Sequence, residues 1–435
     1  MHWILLTALL STTGCDAHRI LARILADSNL EIRNFLTTGR GLATICERAP
    51  GDILIAIPDG DVVTAERVLK QNTLALAAAK AAAHAGSKLT DEIILTYHLH
   101  CERSAQSDYA ATLPLAQPSV LELDSDDMAL LPRCYANAAN STVEFALQQF
   151  EALADALRLA GSTPLSVGDF LTAFSHVRAR SVEVNDEQGD GLEPASDLLR
   201  ASSGRRRALL PALDLINHHA GARTTLERVA STDPSSGGCC WRVIAQDAYE
   251  AGSQVFLTYG TCDNLKLLLQ YGFALPENPE AIILFDVRDL IDACEAALPK
   301  AFGPVRDELL QQLSAVEEAP AADGPSSEEA AGPFQRLSLF SYDSTSGEPR
   351  EALSRALATL QSLVEPLGGS AAEAESFPAN ALRELLKARH EEVKLLIEDA
   401  ARLDEEVESE AGGVSMRAAT ITLLRAERDA IGKVV

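Results

Sequence analysis

Long apolar runs, clustered cysteines and an excess of basic charge are all missing from this 435-residue sequence. No stretch reaches the roughly 18 to 20 apolar residues of a membrane-spanning helix, which excludes an integral membrane protein with helical spans. The 37 Lys and Arg residues stand against 63 Asp and Glu residues, so the net charge is −26. Such a charge repels phosphate backbones, and we therefore expect no nucleic-acid partner.

The cysteines are few and scattered, with eight in the whole chain. Only Cys239 and Cys240 are adjacent, and no C-x-x-C spacing occurs. This pattern excludes a disulfide scaffold and a zinc ribbon, so we expect reduced thiols and no metal site.

The N-terminal stretch, residues 1–15, is apolar and resembles the core of a signal peptide. It has no basic residues ahead of the apolar core and no A-x-A after it, both of which a cleaved signal normally carries. Residues 1–33 are therefore interpreted as an N-terminal segment that is either a targeting sequence or a helix. Localisation stays open between the cytoplasm and a plastid.

Hydrophobic patterning divides the rest of the chain into β-rich and helical parts. Strands are predicted at 42–46, 52–57, 208–216, 240–248 and 253–259, and the 3.6-residue period predicts that nearly everything beyond Phe285 is helical. Helices are also predicted at 90–102, 141–161 and 168–180, inside a helical insertion at about 65–195. Loops are expected at 181–211, which is long and polar, and at 317–333, which is acidic and rich in Pro, Gly and Ser.

The predicted fold class is therefore α+β. A β-rich domain at 34–285 is split by the helical insertion, and an all-helical domain follows at 286–435.

Two segments place polar groups at the ends of apolar strands, while the usual nucleotide-binding, zinc-protease and serine-hydrolase motifs are missing. The first segment, 211–221, carries Asp214, Asn217 and His218 into a turn, and the second, 254–273, ends a strand at Tyr259. Taken alone, the first segment also fits an Asx-type turn with solvated histidines.

Together these segments resemble the SET-domain methyltransferases, in particular the Rubisco large-subunit methyltransferase subgroup, which acts on non-histone proteins. The specific signal is a D-x-x-N-H, residues 214–218, followed by a Y-G-x-x-x-N, residues 259–264. The resemblance covers about 34–285, and the helical remainder resembles the substrate-binding domain of that subgroup. Further matches are GRGL at 39–42, IP at 57–58, TAE at 64–66, YAATLP at 109–114 and AR at 179–180.

The resemblance implies roles for individual residues. Tyr259 is the catalytic phenol and Tyr271 lines the substrate channel. Arg180 lies near the methionine carboxylate of S-adenosylmethionine, although the position also fits a surface arginine at a helix end. Asp214 is expected to brace its turn rather than to act as a base. The cofactor-binding set is Gly39, Arg40, Gly41, Leu42, Arg180, Asp214, Asn217 and His218.

The implied function is in-line methyl transfer from S-adenosylmethionine to a deprotonated lysine of a non-histone protein, by a monomer. A histidine acceptor is the nearest alternative, and a non-catalytic SET-fold binding protein is the alternative from another class. Thr38 departs from the acidic or small residue that the subgroup often has before GxGL. If the interpretation holds, the chain must bring the Gly39 loop beside Asn217 and Tyr259.

Overall fold

The structure is a computed structural model that forms two compact units. The first unit contains the chain up to Gln117 together with Ala146–Gly260, and the second contains Pro118–Phe145 together with the chain from Thr261. The described residues are 16–36, 38–105, 107–114, 117–185, 197–200, 205–230, 239–297, 340–343, 348–364, 370–406 and 416–434. Two predicted segments, 1–15 and the loop at 317–333, lie outside them.

The strands are short and are numbered in chain order. They are β1 (Leu30–Phe35), β2 (Gly39–Thr44), β3 (Ile53–Pro58), β4 (Val63–Thr64), β5 (Leu89–Thr90), β6 (Ser181–Asn185), β7 (Leu199–Arg200), β8 (Arg205–Leu209), β9 (Asn217–His218), β10 (Thr224–Ala230), β11 (Cys239–Ala245), β12 (Phe256–Leu257), β13 (Ile282–Phe285), β14 (Phe340–Asp343) and β15 (Glu348–Pro349).

All the helices given below except the first lie between β4 and β6 or in the second unit. They are α1 (Asp16–Asp27), α2 (Ala65–Gln71), α3 (Thr73–His84), α4 (Asp91–Ser104), α5 (Asp108–Thr112), α6 (Ser125–Ala129), α7 (Arg133–Leu159), α8 (Val167–Arg180), α9 (Asn264–Tyr271), α10 (Val287–Ala297), α11 (Glu351–Val364), α12 (Ala371–Glu406) and α13 (Met416–Gly432). No helix of the described residues is long and apolar enough to cross a bilayer.

The sheets of the first unit join chain segments from both sides of the helical insertion. β3 pairs antiparallel with β11, and Ile57 lies opposite Trp241. β1 and β2 form an antiparallel hairpin, while β9 and β12 pair in parallel. The apolar faces of these strands form one core that includes Leu42, Ile57 and Val255. The predicted fold class is confirmed.

Helix ends show which local signals decide the structure. Thr90, where a helix is predicted to begin, caps α4, since its hydroxyl accepts a hydrogen bond from the Ile93 amide at 3.3 Å. The predicted helix start at Ser141 is wrong, because α7 already begins at Arg133. Thr142 donates its hydroxyl to the carbonyl of Ala138 at 2.9 Å, a bond made inside a continuous helix rather than at a cap.

The predicted loop at 181–211 is also wrong where β6 and β8 pair, from Ser181 opposite Leu209 to Asn185 opposite Arg205. The basic side chains of β8 can lie in a sheet because they form ion pairs with buried carboxylates. Arg206 is 7 % exposed and lies 3.3 Å from Glu66 of α2. A buried ion pair holds this strand in place.

The second unit is helical, with one addition to the predicted pattern. β13, β14 and β15 form a small antiparallel sheet against which the helices pack. The core of the second unit contains Phe285, Tyr342, Phe377 and Leu385, each no more than 1 % exposed.

Candidate functional site

The start of β2 passes close to two side-chain amides of the first unit. Gly39 has a φ of +67°, a backbone conformation that glycine adopts without strain. A Cβ at Gly41 would lie 2.7 Å from both Asn217 Nδ2 and Gln254 Nε2. Only glycine lets the backbone approach these amides, so the chain is shaped for close contact at this position.

Asn217 ties this loop to β9. Its Nδ2 donates to the carbonyl of Arg40 at 3.0 Å and to that of Thr38 at 3.3 Å. Both amide hydrogens are thus used on the loop, and Oδ1 is the polar atom that can face a ligand. The structure therefore brings the Gly39 loop beside Asn217, as the sequence interpretation requires.

His218 and Tyr259 lie together beside that pair. His218 is 8 % exposed, its Nδ1 accepts from the backbone amide of Tyr259 at 3.1 Å, and the two rings are 5.1 Å apart. Burial and the neighbouring His219 lower the pKa of His218, so the imidazole is neutral. Tyr259 donates its hydroxyl to the carbonyl of Ile216 at 2.8 Å. Burial raises the pKa of Tyr259 to about 12, which keeps the phenol protonated at neutral pH.

Arg180, Asp214 and Tyr109 form a second polar group. Arg180 donates to the carbonyl of Asp214 at 2.7 Å and to Gln117 Oε1 at 3.0 Å, and Tyr109 donates its hydroxyl to Asp214 Oδ2 at 3.2 Å. The Arg180 side chain is 15 % exposed and that of Asp214 is 1 % exposed. Arg180 is therefore not a surface arginine, although it ends α8. Burial raises the pKa of Asp214, and the positive charge of Arg180 opposes that rise.

Arg40 adds a second guanidinium to this group. Burial lowers the pKa of Arg40, and the nearby positive charge of Arg180 lowers it further. Two guanidinium groups near one carboxylate leave net positive charge in a partly buried place. That charge fits a ligand carboxylate, which guanidinium groups bind in forked geometry.

Three buried polar atoms at the site have no hydrogen-bond partner among the described residues. They are Arg180 Nε, Asp214 Oδ1 and Gln254 Nε2. Leaving a buried polar atom unpaired costs about 1–3 kcal/mol, and such atoms in a native structure need an explanation. A polar, carboxylate-bearing small molecule fits them, and S-adenosylmethionine is such a molecule. No group of three or more metal-ligating side chains forms within the described ranges.

Two other predicted residues have different surroundings. The Leu42 side chain is fully buried in the core, and its carbonyl accepts from the Val255 amide at 2.9 Å, so only its backbone borders the loop. Tyr271 belongs to the second unit, where it ends α9 and accepts from Gln270 Nε2 at 3.2 Å. Its place in a substrate channel stays a prediction.

Four polar residues at the site carry no assigned role in the sequence interpretation. Tyr109 lies inside the matched YAATLP segment, which is a usable signal, and Thr38 stands out only as a departure from the subgroup pattern. Gln117 and Gln254 have no spacing that distinguishes them from any other glutamine.

Asn264 of the Y-G-x-x-x-N motif has a structural contact instead. It hydrogen-bonds the backbone of Leu275 at 2.9 and 3.0 Å, so it braces a loop.

The split β-rich unit, with the Gly39 loop tied to Asn217 beside Tyr259, has the fold of a SET domain. The structure of the SET domain of LSMT bound to lysine and AdoHcy matches with a TM-score of 0.58 and 16 % identity, over 96 % of this chain and 90 % of that one. The resemblance to the Rubisco LSMT type that the motifs indicate is confirmed.

Sequence relatives agree with this assignment. SET domain-containing protein 4 of Artemia parthenogenetica is 25 % identical over 61 % of this chain and 63 % of its own length. Actin-histidine N-methyltransferase of Gallus gallus is 24 % identical over 57 % of this chain and 40 % of its own length. The chain thus spans less than two thirds of the length of these relatives. No protein-family profile matches the sequence.

Proposed function

We propose that this protein is an S-adenosylmethionine-dependent protein-lysine N-methyltransferase that acts on a non-histone protein. The observation that carries the proposal is the cluster of unpaired, partly charged groups beside Tyr259, at the place where Asn217 meets the Gly39 loop. A structural neighbour bound to lysine and AdoHcy and relatives with SET-domain names support it.

Three groups of this chain would hold the cofactor. Arg180 and Arg40 would face its carboxylate, the Oδ1 atom of Asn217 would accept from its amine, and Gly41 would keep the Asn217 and Gln254 amides close to the loop that borders it. S-Adenosylmethionine, when bound, supplies a methyl group on a sulfonium, which is already activated and needs no protein nucleophile.

Tyr259 orients the acceptor. Its phenol stays protonated because its pKa is about 12, so it acts as a neutral hydroxyl and not as a base. A lysine with an ordinary pKa of about 10.4 costs roughly 4–5 kcal/mol to deprotonate at neutral pH. A nearby positive charge and apolar walls lower that cost, since both disfavour a second cation. In-line positioning can contribute on the order of 7–11 kcal/mol.

The second unit has a separate role in the proposal. Its helical part, from about residue 286, would bind the substrate protein, as the resemblance to the substrate-binding domain implies. The net charge of −26 favours a basic partner. The monomeric state stays a prediction, which light scattering in solution tests.

A histidine acceptor is the second candidate, and the likeness to an actin-histidine N-methyltransferase favours it. An imidazole with a pKa of about 6.5 is mostly neutral at pH 7, so its enzyme needs to orient the ring and not to deprotonate it. A non-catalytic binding protein is the remaining alternative, and the presence of Tyr259 together with Asn217 and His218 counts against it.

The experiment follows labelled methyl from S-adenosylmethionine into proteins of a cell extract, with the modified residue identified by mass spectrometry. We expect label on lysine, and we expect Tyr259→Phe to lower the rate at least about tenfold, because the orienting hydroxyl is lost. Cofactor affinity, measured by calorimetry, should change far less.

The matched control is Tyr249→Phe, which removes the hydroxyl of another partly buried tyrosine of the first unit and should leave the rate unchanged. Label on histidine supports the second candidate. A wild-type protein that does not bind S-adenosylmethionine contradicts both enzyme proposals and favours the binding protein.

A further inference from the structure

We propose that Gln254 is a cofactor-contacting residue, whose side-chain NH2 group donates a hydrogen bond to the bound cofactor while Thr38 holds the other end of the amide. This inference rests on the proposed function. It assigns roles to two residues to which the motifs assign none.

The first support is the position of Gln254 along the cofactor loop. Gln254 forms an antiparallel bridge with Ala43 of β2, and the next amide, that of Val255, donates to the carbonyl of Leu42 at 2.9 Å. The backbone thus holds Gln254 beside the strand that Gly39 begins.

The second support is the fixed orientation of the amide. Thr38 donates its hydroxyl to Gln254 Oε1 at 2.9 Å, which occupies the acceptor end of the group. The donor end then lies 2.7 Å from the place where Gly41 lacks a Cβ. An amide held in this way keeps its NH2 group packed closely against the backbone of Gly41.

The third support is that, within the described residues, the Gln254 NH2 group has no hydrogen-bond partner, whereas the Asn217 NH2 group has two. Asn217 Nδ2 also lies 2.7 Å from that place, but it already donates to the carbonyls of Thr38 and Arg40. Gln254 Nε2 is buried and, in the part of the chain that the structure describes, has no hydrogen-bond partner. Of the two amides that meet at Gly41, Gln254 therefore provides the open donor. An acceptor atom of the cofactor would remove the cost of leaving it unpaired.

A purely structural role makes a different prediction. If Gln254 served only to hold Thr38, its oxygen would matter and its NH2 group would not. Gln254→Glu separates the two, because the carboxylate keeps an oxygen for the Thr38 hydroxyl and loses the NH2 group. Gln254→Met removes both the amide oxygen and the NH2 group without adding charge. Thr38→Val removes the hydroxyl that bonds the Gln254 oxygen but leaves the Gln254 NH2 group in place.

Calorimetric titration with S-adenosylmethionine and with S-adenosylhomocysteine tests the inference on the full chain. We expect Gln254→Glu and Gln254→Met to weaken the affinity for both ligands about tenfold or more. Thr38→Val should weaken it less than about threefold, because the donor remains. Thermal unfolding without ligand checks that each variant is folded.

The matched control is Gln246→Glu, since Gln246 Nε2 donates to Thr225 Oγ1 at 3.0 Å in an exposed glutamine–threonine pair of the same unit. Its affinity for both ligands should equal that of the wild type. Wild-type affinity in a folded Gln254→Glu or Gln254→Met variant would overturn the inference while leaving the proposed function intact. A wild-type protein that binds neither ligand would instead contradict the proposed function.

Discussion

Arg180 and Arg389 are both buried arginines, one in each unit, and their partners differ in kind. Arg389 is 2 % exposed in its side chain and lies 3.2 Å from Asp289, 2.9 Å from Glu392 and 3.3 Å from Glu427. The rings of Tyr135 and Phe285 lie 5.5 and 5.2 Å from its guanidinium carbon. Three carboxyl groups and two rings surround this charge.

Arg180 is bound mainly by neutral oxygen atoms, the carbonyl of Asp214 and the amide of Gln117, and the Asp214 carboxylate is 3.9 Å away. Its Nε has no partner within the described residues, and Arg40 adds positive charge nearby. A buried charge with several counter-charges belongs to the architecture of its unit, whereas we propose that Arg180, with its incomplete set of partners, receives a ligand.

The largest effect that this comparison predicts is the loss of Arg389. Arg389→Met leaves Asp289, Glu392 and Glu427 without their shared cation, and removal of one member of a buried ion cluster costs about 3–5 kcal/mol. We expect a decrease of that size in the free energy of unfolding of the second unit, measured by denaturant titration with helix content as the signal.

Lys387→Met is the control for that measurement. Lys387 lies two residues before Arg389 on the same helix, α12, and its ion pair with Glu384 is exposed, so its loss should cost less than about 1 kcal/mol. Equal effects of the two changes would show that the Arg389 cluster contributes no more than a surface pair.

The pH dependence of the second unit is the next effect. Burial raises the pKa of Glu427 from 4.5 to about 7, with Arg389 opposing the rise and Glu392 adding to it. In the unfolded chain this carboxyl ionises near pH 4.5, while in the folded unit it keeps its proton up to about pH 7. The contribution of this carboxyl to the free energy of unfolding therefore has its full value below pH 4.5. It decreases by up to about 3 kcal/mol as the pH rises to 7.

Denaturant titrations at several pH values between 4.5 and 7.5 measure this dependence. The variant Glu427→Gln has no carboxyl to titrate, so its stability should decrease less over that interval than the stability of the wild type. Parallel pH profiles of the two proteins would show that Glu427 has the same pKa in the folded and the unfolded chain.

The smallest of the three effects concerns ligand affinity in the first unit. Gly41→Ala adds a methyl group 2.7 Å from Asn217 Nδ2 and Gln254 Nε2, where an added carbon costs about 1–3 kcal/mol. We expect S-adenosylmethionine affinity to decrease about tenfold to a hundredfold by calorimetry. Gly168→Ala is the control, because no heavy atom lies within 4 Å of its added carbon. Unchanged affinity in Gly41→Ala would contradict the close approach proposed at this glycine.

The sequence predicts the meeting of the Gly39 loop with Asn217 better than it predicts some of the elements around it. The Thr90 cap and the meeting of Asn217 with the Gly39 loop follow from short motifs, because those residues act on their immediate neighbours or within one matched pattern. Residues 141–144 also show a capping pattern, S-x-x-E, but they lie inside the longer helix α7, where the carbonyl of Ala138 accepts a hydrogen bond from the Thr142 hydroxyl.

Residues whose role depends on a distant partner are the ones that sequence patterns miss. Arg206 is basic and lies in a polar stretch, which predicts a solvated loop, yet Glu66 from far along the chain makes it a buried strand residue. Gln254 similarly has no motif of its own, and only Thr38 and Gly41 in the folded chain give it a role.

The hydrogen bond between Thr38 and Gln254 joins residues 216 positions apart in the chain. Contacts at such separation require a large loop to close, which slows folding, so this part of the site is completed only when the two distant segments have met. A ligand that binds there recognises the finished chain and not its unfolded forms, and at a hundred times its dissociation constant it adds about 2.7 kcal/mol to stability. If the transition state for folding lacks this contact, the ligand slows unfolding without speeding folding, and so lengthens the lifetime of the folded protein.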